Sequence, residues 1–208
     1  MKDSDSPKSG RRTQTAGPQA QAHLLRAAAE LFYQEGVRAV GVDAVVERAG
    51  VNKMSLYRQF ASKDDLVVAY LEQSDRECLD RVDESFAKHP DEPAKQLKQY
   101  FVDLVQRACE PDYRGCPFVN VAAEFPDASH PARLSVTRNK SKLMEKLLAR
   151  TTAAGADNPV ELANALALLL EGVYAASQTY GPASGPITVA PAIAERLIDA
   201  ACSSAPVK

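Results

Sequence analysis

Residues 36–66 read GVRAVGVDAVVERAGVNKMSLYRQFASKDDL, and this stretch decides the fold. Four of its apolar residues recur at the i, i+3, i+4 and i+7 spacing of a short amphipathic helix: Val42, Val45, Val46 and Ala49. Gly50 follows, and we expect it to end this helix because glycine adopts the left-handed conformation without a Cβ clash. The pattern therefore predicts a helix over residues 42–49.

A second, more polar helix is predicted directly after the turn. Asn52 is a suitable N-cap, since its side-chain oxygen can accept a hydrogen bond from the first helical turn. Leu56 and Phe60 lie four residues apart and can face inward together. The remaining positions carry hydrogen-bond donors: Lys53, Ser55, Tyr57, Arg58 and Gln59. Two helices, a glycine turn and a polar second helix predict a helix-turn-helix.

The donor chemistry of this helix favours DNA binding. Phosphate oxygens accept hydrogen bonds from lysine, serine, tyrosine and arginine, and base edges in the major groove are read by side chains that point into it. Ser62 with an acid three residues later resembles a capping box, so Lys63 is expected on the first turn of a third helix. The alternative is a solvated polar helix in an ordinary α-helical domain.

The same residues resemble a known family. The segment AGVNKMSLYRQFASKDDL (49–66) is similar to the signature AGVSxGTLYxYFxSKEEL of TetR-type (tetracycline-repressor-like) transcriptional regulators. The sequence departs from the family at Val40 and Gly41, where Thr or Ser is usual, and at Met54, where a small residue is common. The first departure removes one hydroxyl contact to phosphate, and the second affects local base preference.

The resemblance implies a ligand-responsive repressor that binds a palindromic operator in double-stranded DNA as a homodimer and is released by an unknown small molecule. From the donor chemistry and the resemblance together, we expect these DNA-binding residues: Gly41, Asn52, Lys53, Met54, Ser55, Tyr57, Arg58, Gln59 and Lys63.

The charge is distributed unevenly along the chain. The 208 residues are 45% apolar and 25% charged, and a net charge of −2 excludes a wholly basic nucleic-acid coat. From residue 8 to residue 63, however, nine basic residues stand against four acidic ones, which gives one end the positive field that a DNA-facing domain needs. Residues 1–18 lack periodicity and the apolar core of a signal peptide, so we expect a disordered arm and a cytoplasmic protein. The arm either reaches into a minor groove or only adds solubility.

The whole chain is predicted to be all-α. A helix over residues 19–34 completes a three-helix domain at 19–66, and residues 67–208 form a helical ligand-binding and dimerisation domain. The helix that begins at Ser62 continues to the proline after His89, which makes it the expected mechanical link between the two domains.

Residues 160–180 are the most apolar stretch. This stretch is expected to be too short and too interrupted by polar residues to span a membrane, and we expect a helix buried on both sides. By resemblance, the last two long helices pair with those of a second subunit in a four-helix bundle; the alternative is a buried helix in a monomer. The predicted interface residues are Leu162, Leu166, Leu169, Val173, Ile193 and Leu197.

A ligand pocket is expected among the C-terminal helices, where Asn120 and Glu124 could be polar anchors, although such a pair is more often merely half exposed. The candidate ligand-binding residues are Phe101, Cys116, Phe118, Asn120, Glu124, Tyr174 and Gln178. The four cysteines lack zinc spacing and are expected to be free thiols. Cys116 begins a helix, where the dipole lowers a thiol pKa, so it is either a redox or electrophile sensor or a structural residue.

Catalysis has little support in the sequence. The three histidines form no metal pair, and no phosphate-binding loop or nucleophile elbow is present. We therefore expect a protein that is not an enzyme and that holds no cofactor or metal. Two alternatives stay open: a small-molecule-binding protein whose helix-turn-helix is vestigial, and an enzyme on a helical scaffold.

Overall fold

The structure, a computed structural model, describes residues 17–203. These residues form α-helices with no strand among them, which confirms the all-α prediction. In chain order the helices are α1 (Gly17–Glu35), α2 (Val42–Ala49), α3 (Lys53–Gln59), α4 (Lys63–Ala87), α5 (Pro93–Ala108), α6 (Pro117–Glu124), α7 (Pro131–Ala153), α8 (Pro159–Thr179), α9 (Gly185–Thr188) and α10 (Ala190–Cys202). The short α9 was not predicted from the sequence.

Local sequence signals explain most helix boundaries. Gly50 ends α2 in the left-handed region at φ 67°, as predicted. Four later helices begin with a proline whose missing N–H is not needed there: Pro93, Pro117, Pro131 and Pro159. The prediction for Pro159 is thereby confirmed.

The first three helices and the beginning of α4 share a hydrophobic core. Leu24, Phe32, Val45 and Leu56 are all buried in it. The predicted arm at 1–18 falls on residues 1–16, which lie outside the described residues, and on two residues that already belong to α1.

Helix α4 connects the two halves of the molecule. Near its start Tyr70 packs edge-to-face on Phe32 of α1, with ring centroids 5.7 Å apart. Near its end Phe86 packs on Tyr100 of α5 at 6.3 Å. The predicted domain boundary after residue 66 therefore lies inside the first turn of a helix that serves both sides.

Helix α8 is long and apolar enough to cross a membrane, and among residues 17–203 it is the one helix of that kind. This corrects the expectation that the stretch is too short and too interrupted. Its 21 residues include two glutamates ten positions apart, which leaves a long apolar window. The core helix of a soluble protein passes the same test, and α8 packs against α5, α7 and α10.

Candidate nucleic-acid interface and adjoining cavity

Helix α3 is anchored by its two apolar residues and capped by Asn52. Leu56 and Phe60 are buried beneath it, as predicted. The Asn52 Oδ1 accepts hydrogen bonds from the backbone N–H of Ser55 at 2.8 Å and from the Ser55 hydroxyl at 3.0 Å. Both side chains are therefore engaged in the cap, which leaves them less free for DNA than their residue types suggest.

The outward surface of α3 carries four other predicted contact residues. Met54 and Tyr57 are exposed over 65% and 49% of their surface, which is unusual for such large side chains. The Lys53 ammonium pairs with Asp43 of α2 at 2.9 Å, and Arg58 donates to the Met54 sulfur at 3.4 Å. Because the Lys53 pair is exposed, it costs little to exchange Asp43 for a phosphate.

The remaining predicted contacts lie at the edges of this surface. Gly41 caps α2 and is exposed, whereas Gln59 is half-buried near the start of α1. Lys63 opens α4 and makes no ion pair within residues 17–203. The Ser62 hydroxyl accepts from the Asp65 N–H at 3.1 Å and donates to the Asp65 carboxylate at 2.9 Å, so the predicted cap is present.

A cavity of about 370 Å³ lies between α1 and the C-terminal helices. Its wall comes from α1, α4, α5, α8 and the segment before α6. Five of the seven tyrosines in the chain line it: Tyr33, Tyr70, Tyr100, Tyr113 and Tyr174. The charged residues in the wall are Glu77, Arg81, Arg107, Glu110 and Asp112.

The buried tyrosine hydroxyls of this cavity stay neutral at cellular pH. Burial raises the pKa of Tyr100 to about 12 and raises that of Tyr174 well above its ordinary value. Burial also raises the pKa values of Tyr70 and Tyr113. These side chains can therefore donate hydrogen bonds without carrying charge.

Two of the seven predicted ligand residues, Cys116 and Tyr174, lie in the cavity wall. The other five lie outside this wall, and their assignment as ligand-binding residues stays a prediction. Phe101 and Phe118 are fully buried in the hydrophobic core. The Asn120 amide donates to the Arg114 carbonyl at 2.7 Å, and the exposed Gln178 donates to a neighbouring serine.

Glu124 joins the two halves of the protein instead of binding in the cavity. Its Oε1 accepts from the Val37 N–H at 3.0 Å and its Oε2 from the Arg38 N–H at 2.6 Å. These N–H groups are free because α1 ends just before them and Gly36 turns the chain at φ 90°. A carboxylate of α6 thus holds the turn between α1 and α2.

Tyr33 makes a second connection between the halves. Its hydroxyl donates to the Gly115 carbonyl at 3.1 Å and accepts from the Arg114 N–H at 2.8 Å. The same side chain lines the cavity. Helix α4 is the expected chief link, and hydrogen bonds at and just after the end of α1 add further links.

The Cys116 thiol is not activated. The four cysteines are free, as predicted, but Cys116 is buried, and burial raises its pKa although Lys140 nearby offsets part of this. The expected lowering by the helix dipole is therefore wrong, because the loss of water around the sulfur outweighs it.

Known proteins place the chain in a family. Residues 24–70 match the family described as bacterial regulatory proteins, tetR family. The HTH-type transcriptional repressor KstR of Rhodococcus jostii is 30% identical over 151 residues, which are 73% of this chain and 67% of KstR. The crystal structure of SCO4454, a TetR-family transcriptional regulator from Streptomyces coelicolor, superposes with a TM-score of 0.82 at 29% identity, covering 89% of this chain and 97% of that one.

The chain belongs to the TetR family. A further relative, the HTH-type transcriptional activator FasR of Mycolicibacterium smegmatis, is 46% identical over 50 residues. That match covers 24% of this chain and only 23% of FasR. TetR-family regulators bind operator DNA and act as dimers.

Three of the four predicted dimer residues of α8 lie inside the single chain. Leu162, Leu166 and Val173 are buried within a single chain and present no surface to a partner. The outward face carries Leu168, which is 75% exposed. Leu166 and Leu168 lie on opposite faces of α8, because positions two residues apart are separated by about 200° around a helix.

The other three predicted dimer positions retain surface. Leu169 and Leu197 are half-buried, and Ile193 of α10 is 38% exposed.

Sequence reasoning missed most of the cavity. Tyr70, Ser74, Cys78 and Arg81 repeat at the three- and four-residue spacing of one face of α4, and this polar stripe on an otherwise packed helix was the available signal. Tyr113 lies between helices, and no pattern marks it. Within residues 17–203, no group of three or more histidine, cysteine, aspartate or glutamate side chains is arranged to hold a metal ion.

Proposed function

We propose that this protein is a repressor that binds a palindromic operator as a homodimer and leaves it when a small molecule occupies the cavity. The observation that carries the proposal is that Tyr33 of α1 belongs both to the cavity wall and to the DNA-binding half. A ligand there contacts the DNA-binding half directly and also contacts α4, whose first residues adjoin the DNA-facing surface.

The release mechanism follows from the hydrogen bonds of Tyr33. A ligand that displaces this hydroxyl breaks its bonds to Gly115 and Arg114 and lets the end of α1 shift against α6. Glu124 limits that shift, because it holds the next turn of the chain. A hundredfold release requires about 2.7 kcal/mol of coupling, close to the most that the loss of both hydrogen bonds supplies at about 0.5–1.5 kcal/mol each.

The proposed DNA contacts are of two kinds. Lys53, Tyr57 and Lys63 hold phosphates, while the exposed Met54 and Arg58 face the bases and set local preference. In the dimer the two copies of α3 enter successive major grooves about 34–36 Å apart, or another distance that groove geometry allows.

The dimer surface is formed by the outward faces of α8 and α10, which carry Leu168 and Ile193. An exposed leucine on an apolar helix is best covered by a second copy of the same surface, in agreement with the family's assembly. The dimer works in the cytoplasm, as a regulator and not as an enzyme. A thiol-sensing repressor is disfavoured by the buried, unactivated Cys116.

The test is to select bound duplexes from a random DNA pool with the purified full chain and then to map the protected bases of the selected sequences by footprinting. We expect an inverted repeat with two protected half-sites, and light scattering should report a dimer. Uniform retention of all sequences, or protection of one half-site by a monomer, would contradict the proposal. A reporter placed behind the selected site then distinguishes repression from activation.

A further inference from the structure

Two arginines in the cavity wall lack the partners that similar cations have elsewhere in the protein. Lys140, Lys142 and Lys98 each pair with a carboxylate of a neighbouring helix. Arg81 and Arg107 are half-buried, yet neither forms a salt bridge within residues 17–203. A partly desolvated guanidinium without a counterion is a site that favours an anion.

The hydrogen bonds of these arginines leave most of their donors available. Arg81 donates to the Cys78 sulfur at 3.3 Å, a weak acceptor. No side-chain hydrogen bond of Arg107 is found in the described part of the chain. Each guanidinium carries five N–H donors in a planar fork, which matches the two oxygens of a carboxylate.

The acidic residues of the wall do not reverse this preference. Glu77, Glu110 and Asp112 are all exposed, so water screens their charges. Glu77 also accepts a hydrogen bond from Gln73 at 2.8 Å. The arginines are less solvated than these carboxylates, and the cavity interior is therefore more favourable to negative than to positive charge.

The tyrosines define the rest of the ligand. Their rings offer flat apolar surfaces for stacking, and their neutral hydroxyls can donate to an anion but do not repel it. The volume of about 370 Å³ is at the small end of ligand sites and suits a molecule of one to three rings.

We propose that the cavity binds an aryl carboxylate, whose acid group pairs with Arg81 and Arg107 and whose ring packs among the tyrosines. This inference rests on the proposed function, since it takes the cavity as the effector site. It names a chemical class, a planar aromatic monoanion, and excludes neutral and cationic isosteres as preferred ligands.

The first test compares three probes of equal size on the unmodified protein without DNA. Calorimetry should give a dissociation constant below about 1 mM for 1-naphthoate, with 1-naphthamide and 1-naphthylmethylammonium at least about tenfold weaker. Tighter binding of the ammonium, equal binding of all three, or no binding of the acid at 5 mM overturns the proposal. This series requires no variant and is independent of folding effects.

The second test changes the arginines. Arg81→Gln and Arg107→Gln should each weaken 1-naphthoate binding about tenfold or more. Arg81→Lys should lose less affinity, because lysine keeps the positive charge although it lacks the planar set of N–H donors of a guanidinium. Arg76→Gln removes an exposed arginine of α4 that lies outside the cavity wall, and binding should be unchanged. Naphthoate affinity that is equal in all four variants, each shown to be folded by its melting transition, also overturns the proposal.

Operator binding by the ligand-free protein separates this inference from the proposed function. If the protein selects an operator but binds no aryl acid, the proposed ligand class is wrong and the proposed function as a DNA-binding regulator is retained. If it binds the acid at the arginines but no specific DNA, the ligand class stands and the proposed function fails.

Discussion

The segment 36–66 and the cavity wall are built over very different distances along the chain. In the segment, the caps of α3 and α4 are bonds between residues three apart, Asn52 to Ser55 and Ser62 to Asp65. Contacts between the two halves span much more of the chain: Tyr33 of the cavity wall bonds a carbonyl 82 positions away, and Glu124 bonds Val37, at the start of the segment, 87 positions away. The caps of the DNA-facing helices are therefore set locally, whereas the cavity exists only when both halves of the protein are assembled. A ligand can therefore alter the cavity without unfolding the capped helices of segment 36–66.

The largest expected effect distinguishes the two faces of α8. Leu166→Asp places an unpaired carboxylate in the core of the C-terminal helices. It should lower the free energy of unfolding by about 5 kcal/mol or more, enough to unfold many domains. Leu168→Asp lies on the outward face and should give a folded monomer. Denaturant titration and light scattering measure the two outcomes. A folded Leu166→Asp protein, or a Leu168→Asp protein that is still a dimer, would show that we have assigned the faces incorrectly.

The next prediction concerns the connection between the two regions. Glu124→Ala removes both acceptors for the Val37 and Arg38 N–H groups and should cost about 1.5–3 kcal/mol, the usual range for hydrogen bonds to a charged group. Hydrogen exchange at these two amides should accelerate, and DNA affinity should fall. Glu145→Ala, at an exposed position of α7, is the control and should change stability by less than about 0.5 kcal/mol. Unchanged exchange at both amides would mean that the clamp does not hold the turn in solution.

A smaller effect is expected within the local segment. Asn52→Ala removes the cap of α3 and should cost about 1 kcal/mol. Because the cap bond is confined to the segment, binding of 1-naphthoate to the cavity should be unaffected. A change in acid affinity as large as the change in stability would show that the two regions are not as separate as their contacts suggest.

The smallest predicted change affects only the electrostatics of DNA binding. Lys63→Ala should weaken binding to all duplexes about equally and reduce the salt slope by about one unit, as expected for the loss of one phosphate contact. Filter binding at several salt concentrations measures it. An altered sequence preference with an unchanged slope would assign Lys63 to base recognition instead.

The same difference in distance explains what could be predicted from the sequence. Gly50, Asn52 and Ser62 act on their own neighbours, so the turn and both caps were correctly predicted. The sequence predicts that Glu124 lies on a helix, as it does, but its partners lie across the fold, and no local pattern reveals them. The aromatic residues Phe101 and Phe118 suit a pocket and a core equally well by composition, and packing decided for the core.

The most direct test of coupling between cavity and DNA is reciprocity. Binding of 1-naphthoate is measured by calorimetry to the free dimer and to the dimer saturated with its selected operator, and operator binding is measured with and without the acid. Linkage requires the two factors to be equal, because they describe the same coupling free energy. We predict that bound operator lowers the affinity of the protein for the acid by a factor of about ten to a hundred. Bound acid should lower its affinity for the operator by the same factor. An acid that binds at Arg81 and Arg107 with the same affinity in both titrations would contradict the coupling.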